Sequence, residues 1–234
     1  EEAGQEHGQA LKSDDNLLAR VCDIRKHGAV GDGKHLDTHA IEAALSSCSG
    51  GGTILVPALT YNPCALGNLS SCYLTTPINL TSHQTLHVEH GAGLIASVAL
   101  DKTGSCSRQD GQEHCSWPLV GYPVQPSLSS YDDDRYCAVV SSCKCSRSPC
   151  AFFRSLKEAA ADNQTDVHIT GEGLLDGQGW ALWPDHVQSN MTAQRPHLVE
   201  LYACSGCSVQ DVALRNSAFW TLHLIYSDQI TVRG

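Results

Sequence analysis

The chain is short of basic residues, of methionine and of long apolar runs. Among its 234 residues, 15 Lys and Arg stand against 25 Asp and Glu, for a formal net charge of −10. No basic stripe runs along it, so nucleic acid is not an expected partner. No apolar run approaches the roughly 20 residues that a membrane-spanning helix needs, so no membrane association is expected. The single methionine is Met191. The opening EEAGQEHGQALKSDDN has no apolar stretch of the kind a secretory leader carries. Residues 1–16 therefore read as disordered or as a leader remnant, and the chain as a processed or truncated one. Zinc-type cysteine pairing is missing as well, because Cys204-x-x-Cys207 has no second CxxC to complete a site. Neither a metal nor a cofactor is expected.

One stretch imitates a nucleotide-binding loop. In HGAVGDGKHLDTHAIEAAL, Gly28 is followed after four residues by Gly33-Lys34. A phosphate-binding loop needs Ser or Thr next, to hold magnesium, and His35 stands there. The preceding RVCDIRK is also too short and too charged for the buried strand such loops follow. The stretch reads instead as a Gly-rich turn from strand to helix, with Lys34 at the surface.

What the chain does have is cysteine and histidine, twelve of each. Scattered cysteines favour disulfides and an oxidising compartment. Four N-x-[ST] sequons, at Asn68, Asn79, Asn163 and Asn190, agree with a secreted glycoprotein. Protonating all twelve histidines would turn −10 into about +2, which suits work at mildly acidic pH.

Coarse structure follows from periodicity. LLARVCDI reads as a strand. LDTHAIEAALSSC reads as a helix with Asp37 as N-cap, Ile41, Ala44 and Leu45 on one face, and Gly50-Gly51-Gly52 as its stop. GTILVPAL, TLHVEH and GLIAS are short strands bounded by turn residues. From about 100 to 166 the apolar periodicity fades and six cysteines cluster, which reads as a disulfide-stapled insertion. Asp132–Asp134 within it is a solvated acidic run or a calcium ligand set. From Val167 the strand texture returns and repeats. SVQDV from Ser208 aligns with QITVR from Gln229 at an offset of 21 residues. Short strands recurring at about 20–25 residues indicate a parallel β-helix, with a β-sandwich as competitor.

The motifs GAVGDGKHLDTHAIEAAL, GGGTILVP, YLTTPINLTSHQTLHVEHGAGLIAS, ITGEGLLDGQG and RPHLVELYACSGCSVQDVALRNSAFWTLHLIYS resemble glycoside hydrolase family 28. These are the polygalacturonases of the pectin-lyase-like superfamily, and the resemblance covers about residues 20–98 and 167–234. It implies a mainly β fold, a right-handed parallel β-helix with an N-terminal capping α-helix, incomplete at its C-terminal end. Residues 17–234 would form the N-terminal part of that domain, interrupted at about 100–166. The Gly cluster becomes the turn into the cap, since Gly tolerates positive φ cheaply. Cys22 and Cys48 flank the helix as candidates to bridge, and Cys64 and Cys72 as candidates to close a loop. Cys204 and Cys207 leave two options, a turn disulfide or free thiols.

The resemblance also exposes an absence. The family's N-T-D, G-H-G and R-I-K motifs do not occur, and no adjacent acidic pair lies on a candidate rung. Asp176, in LLDGQG, belongs to a structural turn. No catalytic residue is therefore assigned. In the family N-T-D follows the FWTLH stretch by about one rung, and this chain stops at Gly234, just short of it. The expectation is the front part of a secreted, monomeric glycosidase that inverts at pectic or related polyuronide, catalytically silent as it stands. A non-catalytic binder of acidic polysaccharide and a polyuronide lyase are the alternatives. Two substrate-binding candidates remain: Trp220, whose ring can stack on a sugar, and His223, which can pair with a uronate at acid pH.

Overall fold

The structure is a computed structural model. It describes residues 20–60, 64, 68–101, 163–183 and 195–234, with short pieces at 106–109, 112–115, 120, 124–125, 135–136 and 139–141. The expectations for residues 1–16, Asp132–Asp134 and Asn190 fall outside the described residues.

Three parallel sheets carry the fold, and each is stacked in chain order. Sheet I runs Val21–Asp23, Gly52–Val56, Gln84–Val88, His168–Thr170, Ser208–Gln210, Thr231–Arg233. Sheet II runs Asp32–Leu36, Ser71–Thr75, Ala92–Ala96, Leu174–Asp176, Ala213–Arg215. Sheet III runs Ile78–Asn79, Val140–Ser141, Val199–Tyr202, Leu222–Ile225. Each strand pairs with the equivalent strand of the next turn of chain, which is the construction of a β-helix. Side chains alternate in a strand, so one set from each sheet fills the interior. Ile54, Leu86, Ile169 and Val209 form the column from sheet I. Tyr73, Leu94 and Leu175 form the column from sheet II, and Ile78, Val140 and Val199 that from sheet III. Each such side chain contributes about 1.5–3 kcal/mol by leaving water.

The rung repeat corrects the sequence alignment. Ser208 pairs with Thr231 and Val199 with Leu222, an offset of 23 residues and not 21. A slip of two keeps every side chain on its own face, because the strand period is 2. The hydrophobic pattern could not tell the two offsets apart.

The helix Thr38–Ser47 covers one end of the solenoid, burying Ile41, Ala44 and Leu45. Its last carbonyls are satisfied from another rung, as Gln84 Nε2 donates to Leu45 O at 2.9 Å and to Cys48 O at 3.1 Å. Asp37 stands at the N-cap, but its carboxylate makes no capping bond to the helix. It turns back to accept from Val30 N at 2.7 Å and Gly31 N at 3.1 Å, closing the turn onto the helix. Burial pushes the Asp37 carboxyl up, against the pull of those two amides.

The Gly cluster takes the expected positive φ at Gly28, Gly31 and Gly33, but its second half is strand and not turn. Asp32–Leu36 is a strand of sheet II, with a register shift between Asp32 and Leu36. Lys34 is exposed, as expected of a surface residue. At Gly31, φ is +73°, and an added Cβ would lie 2.7 Å from the Tyr73 ring. Glycine is required there for a core contact.

All three candidate disulfides are formed: Cys22–Cys48, Cys64–Cys72 and Cys204–Cys207. Within the proposed insertion, the backbone pairs Cys106 with Cys115 across an antiparallel hairpin. Among the described residues, no helix is long and apolar enough to cross a membrane.

Candidate functional site on the outer face of sheet III

Sheet III presents the chemistry. In Val199–Tyr202, Val199 and Leu201 enter the core, so Glu200 and Tyr202 face outward. On the next strand Leu222 packs on the core and His223 faces outward. The 23-residue register places His223 directly opposite Glu200. His223 Nδ1 lies 2.9 Å from Glu200 Oε2, and His197 Nε2 lies 3.8 Å from the same oxygen. The Glu200 side chain is only 5% exposed and that of His197 only 3%, whereas His223 keeps 19%. A carboxylate so buried needs a partner; His223 is within hydrogen-bond distance, and His197 stands close by without reaching it.

Aromatic rings build up the rest. Trp220 meets His223 edge-on with centroids 4.4 Å apart, and Phe219 lies parallel to Trp220 at 5.7 Å. His197 packs against Phe219, Trp220 and His223 at 5.3, 5.3 and 4.4 Å. Arg195 places its guanidinium carbon 5.8 Å from the Phe219 centroid. Trp220 is 51% exposed, so part of its ring is free to meet a ligand. The two substrate-binding residues read from the sequence, Trp220 and His223, are thus brought together. Glu200, His197, Phe219 and Arg195 were missed. Once the offset is 23, the pairing of Glu200 with His223 and of His197 with Trp220 can be read directly from the chain.

The three donors of His197, Glu200 and His223 lie within 4.8 Å of one another. Two histidines and a carboxylate are a composition that divalent cations use. The hydrogen bonding is arranged otherwise. Trp220 N donates to His197 Nδ1 at 3.4 Å, which assigns the His197 hydrogen to Nε2, the nitrogen facing Glu200. A ligating imidazole is held the opposite way, with its remote nitrogen donating and a lone pair aimed at the ion. The cluster is a buried carboxylate hydrogen-bonded to His223, with His197 packed beside it.

The sequons divide by location. Asn68 and Asn163 are exposed, whereas Asn79 is half-buried within a strand of sheet III. An open cleft of about 620 Å³ lies over sheet II, lined in part by Asn68, His90, Glu172, Asp176 and Arg215. Its acidic groups are engaged locally. His90 Nδ1 is 3.8 Å from Glu172 Oε2, and Asp176 accepts from Gln178 N at 2.8 Å and from Asn216 Nδ2 at 2.9 Å. Asp176 has the structural role expected of it.

Comparison with known proteins converges on one family. No protein-family model matches the chain. The "Probable polygalacturonase" of Vitis vinifera is 30% identical over 222 residues, 92% of this chain. The "Exo-poly-alpha-D-galacturonosidase" of Dickeya chrysanthemi is 27% identical over 165 residues, 70% of this chain. The chain is polygalacturonase-like, in line with the resemblance of its motifs to glycoside hydrolase family 28. The family 28 exopolygalacturonase of Yersinia enterocolitica has the same fold, with a TM-score of 0.62 at 18% identity. That match covers 92% of this chain and 38% of the Yersinia protein. The fold of this chain is therefore the right-handed parallel β-helix. The chain spans 36% of the length of the Vitis relative and 20% of the Dickeya one.

Proposed function

We propose that this protein is a secreted, monomeric, polygalacturonase-like glycosidase that hydrolyses pectic galacturonan or a related polyuronide with inversion. The outer face of sheet III is its substrate surface. There Trp220 stacks on a sugar ring and His223 pairs with a uronate carboxylate. The observation that supports this reading is the outward cluster of Trp220 and His223 beside the buried Glu200, on a solenoid whose relatives are named for galacturonan cleavage. Inverting hydrolysis needs two carboxyl groups about 6.5–9.5 Å apart. Among the described residues the strands of sheet III carry one carboxylate, Glu200, and His223 engages it, so the acid and the base are expected from residues outside these four strands.

A second reading, a β-helix that binds acidic polysaccharide without cutting it, is favoured by that same engagement of Glu200. One experiment separates the two. The protein is incubated with polygalacturonate at pH 5, and both binding and new reducing ends are measured. Cleavage supports the hydrolase, with the first product in the anomeric form opposite to the substrate linkage. Binding without new ends moves the protein to the second reading, and absence of both removes either one.

A further inference from the structure

We infer that Arg195 is the residue that recognises the sugar carboxylate at this site, an inference that rests on the uronide-binding reading above. Three observations carry it. The Arg195 guanidinium has no carboxylate partner among the described residues, and its Nε is shut off from solvent without any hydrogen-bond acceptor. Buried donors in folded proteins are nearly always satisfied, so this orphan Nε marks a guanidinium that the protein itself does not fully engage, and Arg195 as a whole is only partly buried, which leaves the rest of its side chain for a ligand. Arg195 is also held in place by packing, over Phe219, and Phe219 is stacked on Trp220. Its planar group is thereby oriented beside the ring proposed to carry the sugar. The third observation is the local charge. Glu200 is the acidic residue of this cluster, and His223 takes it up. Nothing in the cluster neutralises Arg195.

The consequence is a positive spot on a chain whose net charge is −10. A strongly anionic protein repels a polyuronide unless cations stand where the polymer must lie. A stacked tryptophan alone accepts neutral and acidic sugars alike. A guanidinium adds selection, because its paired N–H groups match the two oxygens of a carboxylate and find no such partner on an ester or a hydroxymethyl group. Arg195 is then the specificity determinant of the site, with His223 as its second cationic contact in acid. Glu200 is a positioning residue that holds the ring of His223 through Nδ1.

The test compares trigalacturonate with its fully methyl-esterified form, by titration calorimetry at pH 5, on the wild-type chain, R195Q and R195K. Expected is a wild-type preference for the acid of about tenfold or more, the scale of a charge-assisted paired contact. R195Q should lose that preference while its affinity for the ester stays within about twofold, with an unchanged circular dichroism spectrum. If R195Q fails to fold, R195K decides, since it keeps the charge and the stem but not the planar fork. A reduced acid preference in R195K supports the inference, and an unchanged one overturns it. A wild-type preference that survives in folded R195Q also overturns the role of Arg195 and leaves the uronide surface standing. A wild-type chain that binds neither sugar removes the uronide reading, and the inference with it.

Discussion

Glu200 and His223 occupy the same position on two successive rungs of sheet III, with Oε2 and Nδ1 2.9 Å apart. One turn of the solenoid separates them along the chain, so neither forms this pair in an unfolded or differently registered chain. His223→Ala should therefore destabilise the protein, since it leaves a buried carboxylate with His197 as its remaining listener for charge. Breaking a buried pair costs about 3–5 kcal/mol, and the partial exposure of His223 places this one near the lower end. Urea denaturation of H223A, E200A and the double variant checks it. Coupling below about 0.5 kcal/mol in that cycle would show that the contact contributes no pairwise stability.

Gln84 ties the capping helix to the first complete rungs through two carbonyls. Gln84→Ala leaves Leu45 O and Cys48 O buried without their side-chain donor. A loss of about 1–3 kcal/mol is expected from the unfolding midpoint. Gln84→Glu should be worse, because a carboxylate cannot donate to either carbonyl.

Gly171 has φ of +111°, and a Cβ built there would stand 2.1 Å from Val88 O. The strain of the left-handed backbone adds to a collision with main chain that cannot rotate away. Gly171→Ala should cost about 3 kcal/mol or more, read from thermal or chemical unfolding. A change of less than about 0.5 kcal/mol would mean that the turn shifts freely.

Acid should weaken the junction at Asp32. Amide donation from His35 and Lys34 holds this carboxyl down at about 2. Its folded value thus lies below the ordinary carboxylate range, so the ionised form is the one that folding favours. The contribution is present in full above the unfolded value near 3.8 and is lost as pH falls toward about 2. Asp32→Asn removes this dependence. The stability difference between the wild-type and D32N proteins should be constant above about pH 5 and shrink toward pH 2. A difference that grows on acidification refutes the assignment.

Glycan occupancy should follow exposure. Mass spectrometry of the protein expressed through the secretory pathway of a glycosylating host is expected to find glycans on Asn68 and Asn163 and none on Asn79, which sits in a sheet strand paired to Val140–Ser141. A glycan on Asn79 at high occupancy would contradict the substrate face assigned to sheet III.

Much of the molecule was legible in the order of its residues. The helix face of Ile41, Ala44 and Leu45, the strands at Gly52–Val56 and Ala92–Ala96, and the exposure of Lys34 follow from local rules of periodicity and turn chemistry. Trp220 and His223 could be singled out because the resemblance to family 28 places the FWTLH stretch one rung before the family's N-T-D, and their side chains suit an acidic sugar. Local rules could not supply the partners. The offset of 23 residues, the pairing of Glu200 with His223, the backward turn of Asp37 and the reach of Gln84 into the helix all depend on which rung lies against which. A pattern of period 2 specifies the face of a side chain and leaves its neighbour along the axis open by two residues. Only the stacked rungs settle that neighbour, because the choice rests on side chains meeting across a full turn of chain.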